Sequence, residues 1–151
     1  MKQKFFTKAR NESLLSDYEG AHLGAVAVLD NRYILAVAHN TAKTNPTQQH
    51  YNRYRAFTKH DILCKPARGH AEIGIYRKIR YLDVDFSKVE IYIYRELKNG
   101  ALALARPCPS CAQALHDLGI RKIAYTTDGG YVEENFYKQE EKPNVAQKKE
   151  N

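Results

Sequence analysis

An α/β fold built on a mixed five-stranded sheet is predicted by three features of the chain. Two β-rich runs flank a three-residue turn near the start, a strand-helix-strand succession fills the second half, and Gly69 and Pro109 mark two helix starts.

The elements follow in order. Lys8–Ser16 is expected to hold a short helix, with Leu14 and Leu15 as its docking edge. Gly24–Leu29 and Tyr33–His39 read as an antiparallel hairpin across Asp30-Asn31-Arg32. Residues 40–69 have no periodicity and contain Pro46, Pro66 and Gly69, so a long loop is predicted; loops of that length in a compact domain are usually functional. From His70 to about Arg80 the spacing of Ile73, Tyr76, Ile79 and Leu82 predicts a helix. Val89–Tyr94 alternates as a strand and is followed by the turn dipeptide Asn99-Gly100. Ala101–Arg106 leads into a second helix, opened by Pro109, carried by Cys111, Leu115 and Leu118, and stopped by Gly119. Ile120–Thr127 is the next strand, parallel to Val89–Tyr94 because a helix connects the two. Tyr131–Tyr137 could start a helix on Glu133 and Glu134, but a hairpin return across Asp128-Gly129-Gly130 is favoured. Residues 139–151 carry almost nothing to bury and are expected to be a disordered polar tail, leaving residues 1–138 as one domain.

Composition bounds the function. A chain of 151 residues with 43% hydrophobic content suits a single core. No run of roughly 18 apolar residues occurs, and Met1–Arg10 is basic with only Phe5-Phe6 as an apolar portion, so neither a membrane partner nor a leader is expected. With Cys108 and Cys111 assigned to a metal, Cys64 is left unpaired, which argues against a disulfide scaffold and points to the cytoplasm.

The chemistry lies in His70-Ala71-Glu72 and Pro107-Cys108-Pro109-Ser110-Cys111. His70, Cys108 and Cys111 supply three ligands for one catalytic Zn2+ and leave a position for water, whose pKa the metal lowers until hydroxide forms near neutral pH. Glu72, beside that water and off the metal, is placed to shuttle protons between it, a ring nitrogen and a departing amine. Both ligand sets open helices, where partial positive charge favours thiolate and carboxylate. A structural zinc ribbon would need a fourth ligand, and no second C-x-x-C exists; a redox dithiol would need neither His70 nor Glu72. His39, His50, His60 and His116 lack partner spacing, and His60 with Cys64 makes two ligands where a further structural zinc needs four.

These two motifs resemble those of the cytidine and deoxycytidylate deaminase superfamily, over about residues 22–130. The resemblance implies a three-layer α/β/α fold of the cytidine-deaminase type. It also implies that Asn40, at the end of the second strand, holds ribose or base. The backbone amides of Ala71 and Cys108, the carbonyl of Arg106, and Pro107 beside it would contact the ring and its amine. A homo-oligomer is a further implication. The sequence departs from many free cytidine deaminases in that Ala112-Gln113 follow Cys111.

The substrate class is less constrained. A net charge of +7 favours anions, but nucleotides and polynucleotides are both anionic. In the 40–69 segment Lys43, Arg53, Arg55, Lys59, Lys65 and Arg68 are interleaved with Tyr51, Tyr54 and Phe57. Lys43, Arg53, Tyr54, Arg55 and Arg68 are therefore candidate contacts to a 5′-phosphate or a single strand, against the plainer expectation that loop aromatics bury themselves. The expected function is hydrolytic deamination of cytosine in a free nucleotide or nucleoside such as dCMP or cytidine. The alternatives are a deaminase of cytosine in single-stranded DNA or RNA or of adenosine in tRNA, and an inactive zinc-bound module that binds nucleic acid.

Overall fold

The computed structural model describes residues 2–54 and 68–135. Helix α1 spans Gln3–Ser13, strand β1 His22–Leu29, strand β2 Tyr33–His39 and helix α2 Pro46–Tyr51. Helix α3 spans Ala71–Ile79, strand β3 Val89–Glu96, helix α4 Pro109–Leu118, strand β4 Lys122–Thr127 and strand β5 Gly130–Glu134. Short 3-10 turns at Asn52–Tyr54 and Phe86–Lys88 follow α2 and precede β3.

The five strands form one sheet in the order β2-β1-β3-β4-β5. Only β3 and β4 are parallel, joined through α4, and the other neighbours are antiparallel. The favoured return of the chain after Asp128 is thus a hairpin, ending at Glu134.

Three layers arise because both sheet faces are apolar. Ala25, Ala27, Ile91 and Ile93 point to one face and pack with Ile75, Ile79 and Leu115 of α3 and α4. Val26, Val28, Tyr92 and Tyr94 point to the other, under Phe5, Phe6 and Ala9 of α1. At Gly24 the two layers nearly touch, since a Cβ there would stand 2.0 Å from the Ala9 carbonyl oxygen. Gly119 ends α4 with φ at 97°, a left-handed conformation that favours glycine.

Two expectations are corrected. The first helix lies earlier than Lys8–Ser16 because Phe5, Phe6, Ala9 and Ser13 form its buried stripe, whereas Leu14 and Leu15 are exposed. Residues 40–69 are not loop throughout. Asn45 caps α2 by accepting from the N–H groups of Thr47 and Gln48, and Pro46 occupies its first position. Phe57, Lys59, His60, Cys64, Lys65 and Pro66 fall outside the described residues, as does the tail expected at 139–151. Among the described residues no helix is long and apolar enough to cross a membrane.

Candidate metal centre and substrate cavity

The start of α4, in the parallel crossover from β3 to β4, lies beside the start of α3. His70 is the N-cap residue of α3 and Cys108 that of α4, with Glu72 and Cys111 in the respective first turns. His70 Nδ1 lies 3.3 Å from Cys111 Sγ and 3.6 Å from Cys108 Sγ. The three ligand atoms all fall within 4.8 Å of one another. A tetrahedral zinc ion with Zn–N of about 2.0–2.1 Å and Zn–S of about 2.3 Å holds nitrogen and sulfur roughly 3.5 Å apart, so the donor set fits that metal.

The electrostatics agree. The Cys108 thiol is pulled down to about 3, chiefly by a hydrogen bond from Cys111 and further by His70 and Ser110, against the cost of burial. Ser110 Oγ lies 3.0 Å from Cys108 Sγ. Glu72 is 4% exposed, and its Oε1 has no hydrogen-bond partner among the described residues. Burial pushes its carboxyl up to about 7, opposed by His70 and reinforced by Cys108.

A cavity of about 260 Å3 adjoins this cluster, with His70, Glu72 and Cys108 in its wall. Ala71, Asn40, Arg68 and Arg106 line it as well. Asn40 Oδ1 accepts the Leu23 N–H at 3.0 Å and its Nδ2 donates to the Ala21 carbonyl at 2.8 Å. One amide hydrogen and one oxygen lone pair are left over. Pro107 is buried beside Arg106, whose Nε and Nη2 donate to both Glu134 carboxylate oxygens at 3.0 and 2.9 Å. Arg68 donates to Glu19 at 3.3 Å and lies over the Tyr18 ring.

Lys43, Arg53 and Tyr54 stand apart from the cavity wall. Lys43 is exposed; Arg53 donates to His50 and lies over the ring of Tyr54, which is 43% exposed. Arg55 lies outside the described residues. Tyr51 behaves as the plainer expectation had it, buried and donating to Asp117 at 2.7 Å. Sequence reasoning missed Gln48, wholly buried on α2. Its Oε1 accepts the His70 N–H at 3.1 Å, and its Nε2 donates to Asn52 Oδ1 at 2.8 Å and Ser110 Oγ at 3.3 Å. It also missed Arg95, which lines the cavity from β3.

A mixed sheet with two helix starts meeting on one face at a His/Cys/Cys cluster, and a buried carboxylate alongside, defines a zinc-dependent hydrolase of the deaminase class. Residues 1–127 match the family described as the cytidine and deoxycytidylate deaminase zinc-binding region, and the chain belongs to that family. Among solved structures it is similar to the dCMP deaminase of the cyanophage S-TIM5, at 21% identity and a TM-score of 0.57, over 84% of this chain and 86% of that one. The same enzyme in complex with dCMP and dUMP gives a TM-score of 0.56 at 21% identity, over 84% of each chain. A cytidine deaminase from Burkholderia pseudomallei matches at 13% identity and a TM-score of 0.58, over 89% of this chain and 92% of that one. A search of curated protein sequences gives no significant match.

Proposed function

We propose that the protein hydrolyses the exocyclic amine of cytosine in a free nucleotide or nucleoside, with deoxycytidylate as the foremost candidate. The observation that carries this reading is Glu72: a buried carboxylate with an unpartnered oxygen, in the wall of the cavity bordered by the His70, Cys108 and Cys111 donors.

Held by His70, Cys108 and Cys111, zinc would supply a Lewis-acidic position that makes water nucleophilic near neutral pH. Glu72 takes a proton from the attacking water, delivers it to the ring nitrogen beside the reacting carbon, and passes the second proton to the departing amine. The C–N bond breaks, a carbonyl forms and ammonia leaves. Asn40 offers its remaining amide hydrogen to sugar or base. The Ala71 and Cys108 amides and the Arg106 carbonyl hold the ring. The cavity, at about 260 Å3, lies just below the usual ligand-pocket range of roughly 300–1,000 Å3 and suits a single base with its sugar. The reading includes a reducing, cytoplasmic location and a homo-oligomer, for which light scattering is the check.

A polynucleotide substrate is the second reading, favoured by the exposed Arg53–Tyr54 pair. Parallel assays on dCMP, cytidine and single-stranded DNA and RNA oligonucleotides, with Glu72→Gln as the blank, separate the two. Turnover of free substrate alone is expected. Turnover of oligonucleotides alone, with steep salt dependence, would replace the first reading by the second. Undiminished turnover by Glu72→Gln would remove the mechanism.

A further inference from the structure

Three arginines line the cavity, and two of them are committed elsewhere: Arg106 to both oxygens of Glu134, Arg68 to Glu19 and the Tyr18 ring. Arg95 differs. Val89, Ile91 and Ile93 alternate onto the face of the sheet under α3 and α4, and Arg95 continues that alternation one step beyond the core. Its backbone is pinned on both sides, the N–H donating to Thr126 Oγ1 at 3.1 Å and the carbonyl accepting from Ala103 at 3.1 Å. Its guanidinium makes one hydrogen bond among the described residues, from Nη1 to the Leu104 carbonyl at 3.2 Å. Nε is shut off from solvent and has no acceptor among the described residues.

A buried charged donor without an acceptor is costly, and an anion entering the cavity removes that cost. We infer that Arg95 is the specificity-determining cation of this site and binds the phosphate of the nucleotide whose base reacts. This deepens the reading above and rests on it. The planar guanidinium fork matches phosphate in bidentate fashion, and the rigid end of β3 fixes its distance from the metal cluster. The preferred substrate class is therefore the nucleoside monophosphate, and the nucleoside is the poorer substrate.

The test compares kcat/KM for dCMP and deoxycytidine in the wild-type protein, Arg95→Gln and Arg95→Lys, beside calorimetric binding of dUMP and deoxyuridine. Wild type is expected to prefer the phosphorylated member of each pair. Arg95→Gln should lower that preference about tenfold or more, the size of one lost charge-assisted contact, and Arg95→Lys should restore part of it. A wild-type protein indifferent to the phosphate, or a variant that loses both members of a pair by the same factor, overturns the inference. If no free substrate is turned over, the proposed function fails while the dUMP and deoxyuridine pair still decides Arg95. If oligonucleotides alone are turned over, a salt slope reduced by about one phosphate in Arg95→Gln assigns the contact to a strand, and an unchanged slope overturns it.

Discussion

Gln48 Oε1 accepts the backbone N–H of His70, tying α2 to the residue that caps α3. The same side chain donates to Ser110, whose hydroxyl meets Cys108 Sγ, so one buried amide braces both halves of the metal cluster. Residues that orient ligands from behind typically contribute 10- to 100-fold to metal affinity. Gln48→Leu is expected to weaken zinc binding by about that factor in competition with a chromophoric chelator. Ser110→Ala should weaken it less, and the pair should combine non-additively because they share one network. Unchanged zinc affinity in Gln48→Leu would reduce Gln48 to a packing residue.

Removing the metal should loosen one layer of the fold before the other. His70, Cys108 and Cys111 join α3 to α4, whereas α1 is held on the opposite sheet face by Phe5, Phe6 and Ala9. Chelation is expected to lower Tm by roughly 5–15 °C, corresponding to a few kcal/mol of linkage in a domain of this size. Amide exchange should accelerate first at the starts of α3 and α4. Cys111→Ala should match the chelated protein and no longer respond to zinc. Uniform acceleration that includes α1 would contradict this.

Arg106 holds the Glu134 carboxyl below its ordinary value, and a hydrogen bond from the Tyr125 hydroxyl acts in the same direction. A carboxyl depressed in the folded state adds stability that is fully present above its unfolded pKa and is lost as pH falls through the folded one. Stability should therefore fall on acidification below about pH 4.5, and Glu134→Gln should flatten that fall. At neutral pH the variant should lose about 1 kcal/mol, since the pair is bidentate but partly exposed. Denaturant titrations of both proteins at pH 4 and pH 7 give the comparison.

The two helices that carry the cluster were legible because their cues are local: apolar spacing after Gly69, Pro109 as an opener and Gly119 as a stop. The β1–β2 hairpin was legible for the same reason, its turn carried by Asp30 and Asn31 with φ near 55°. Helix α2 was not, being six residues with too few apolar positions to show a period, although Asn45-Pro46 was an available signal. Gln48 could not be singled out, because its role depends on Ser110, 62 positions away. Arg95 was within reach, as the next step in the Val89, Ile91, Ile93 alternation, but only once that face was known to carry α3 and α4. The first helix lies earlier than expected because Phe5 and Phe6, the apolar portion of a basic segment, are its main anchors.

Gly24 sets how closely α1 lies on the sheet. A Cβ there would stand 2.0 Å from the Ala9 carbonyl oxygen and 2.7 Å from the Ser13 nitrogen, both backbone atoms that no rotamer change can move. Gly24→Ala must therefore shift the helix and loosen the packing of Phe5 and Phe6 on Tyr92, whose ring centroids lie 5.2 and 5.0 Å away. Overpacking of this kind costs about 1–3 kcal/mol when side chains can yield, and a backbone clash belongs at or above the upper end. The expected fall in Tm is roughly 6–12 °C. The metal cluster lies across the sheet, so zinc stoichiometry should be retained. The cavity rim should respond nonetheless, because Ser16 just beyond α1 donates to the Asn40 carbonyl at 2.8 Å and Asp17 accepts from Ala42 at 2.9 Å. A stable Gly24→Ala protein with unchanged substrate affinity would mean that α1 yields without disturbing that rim.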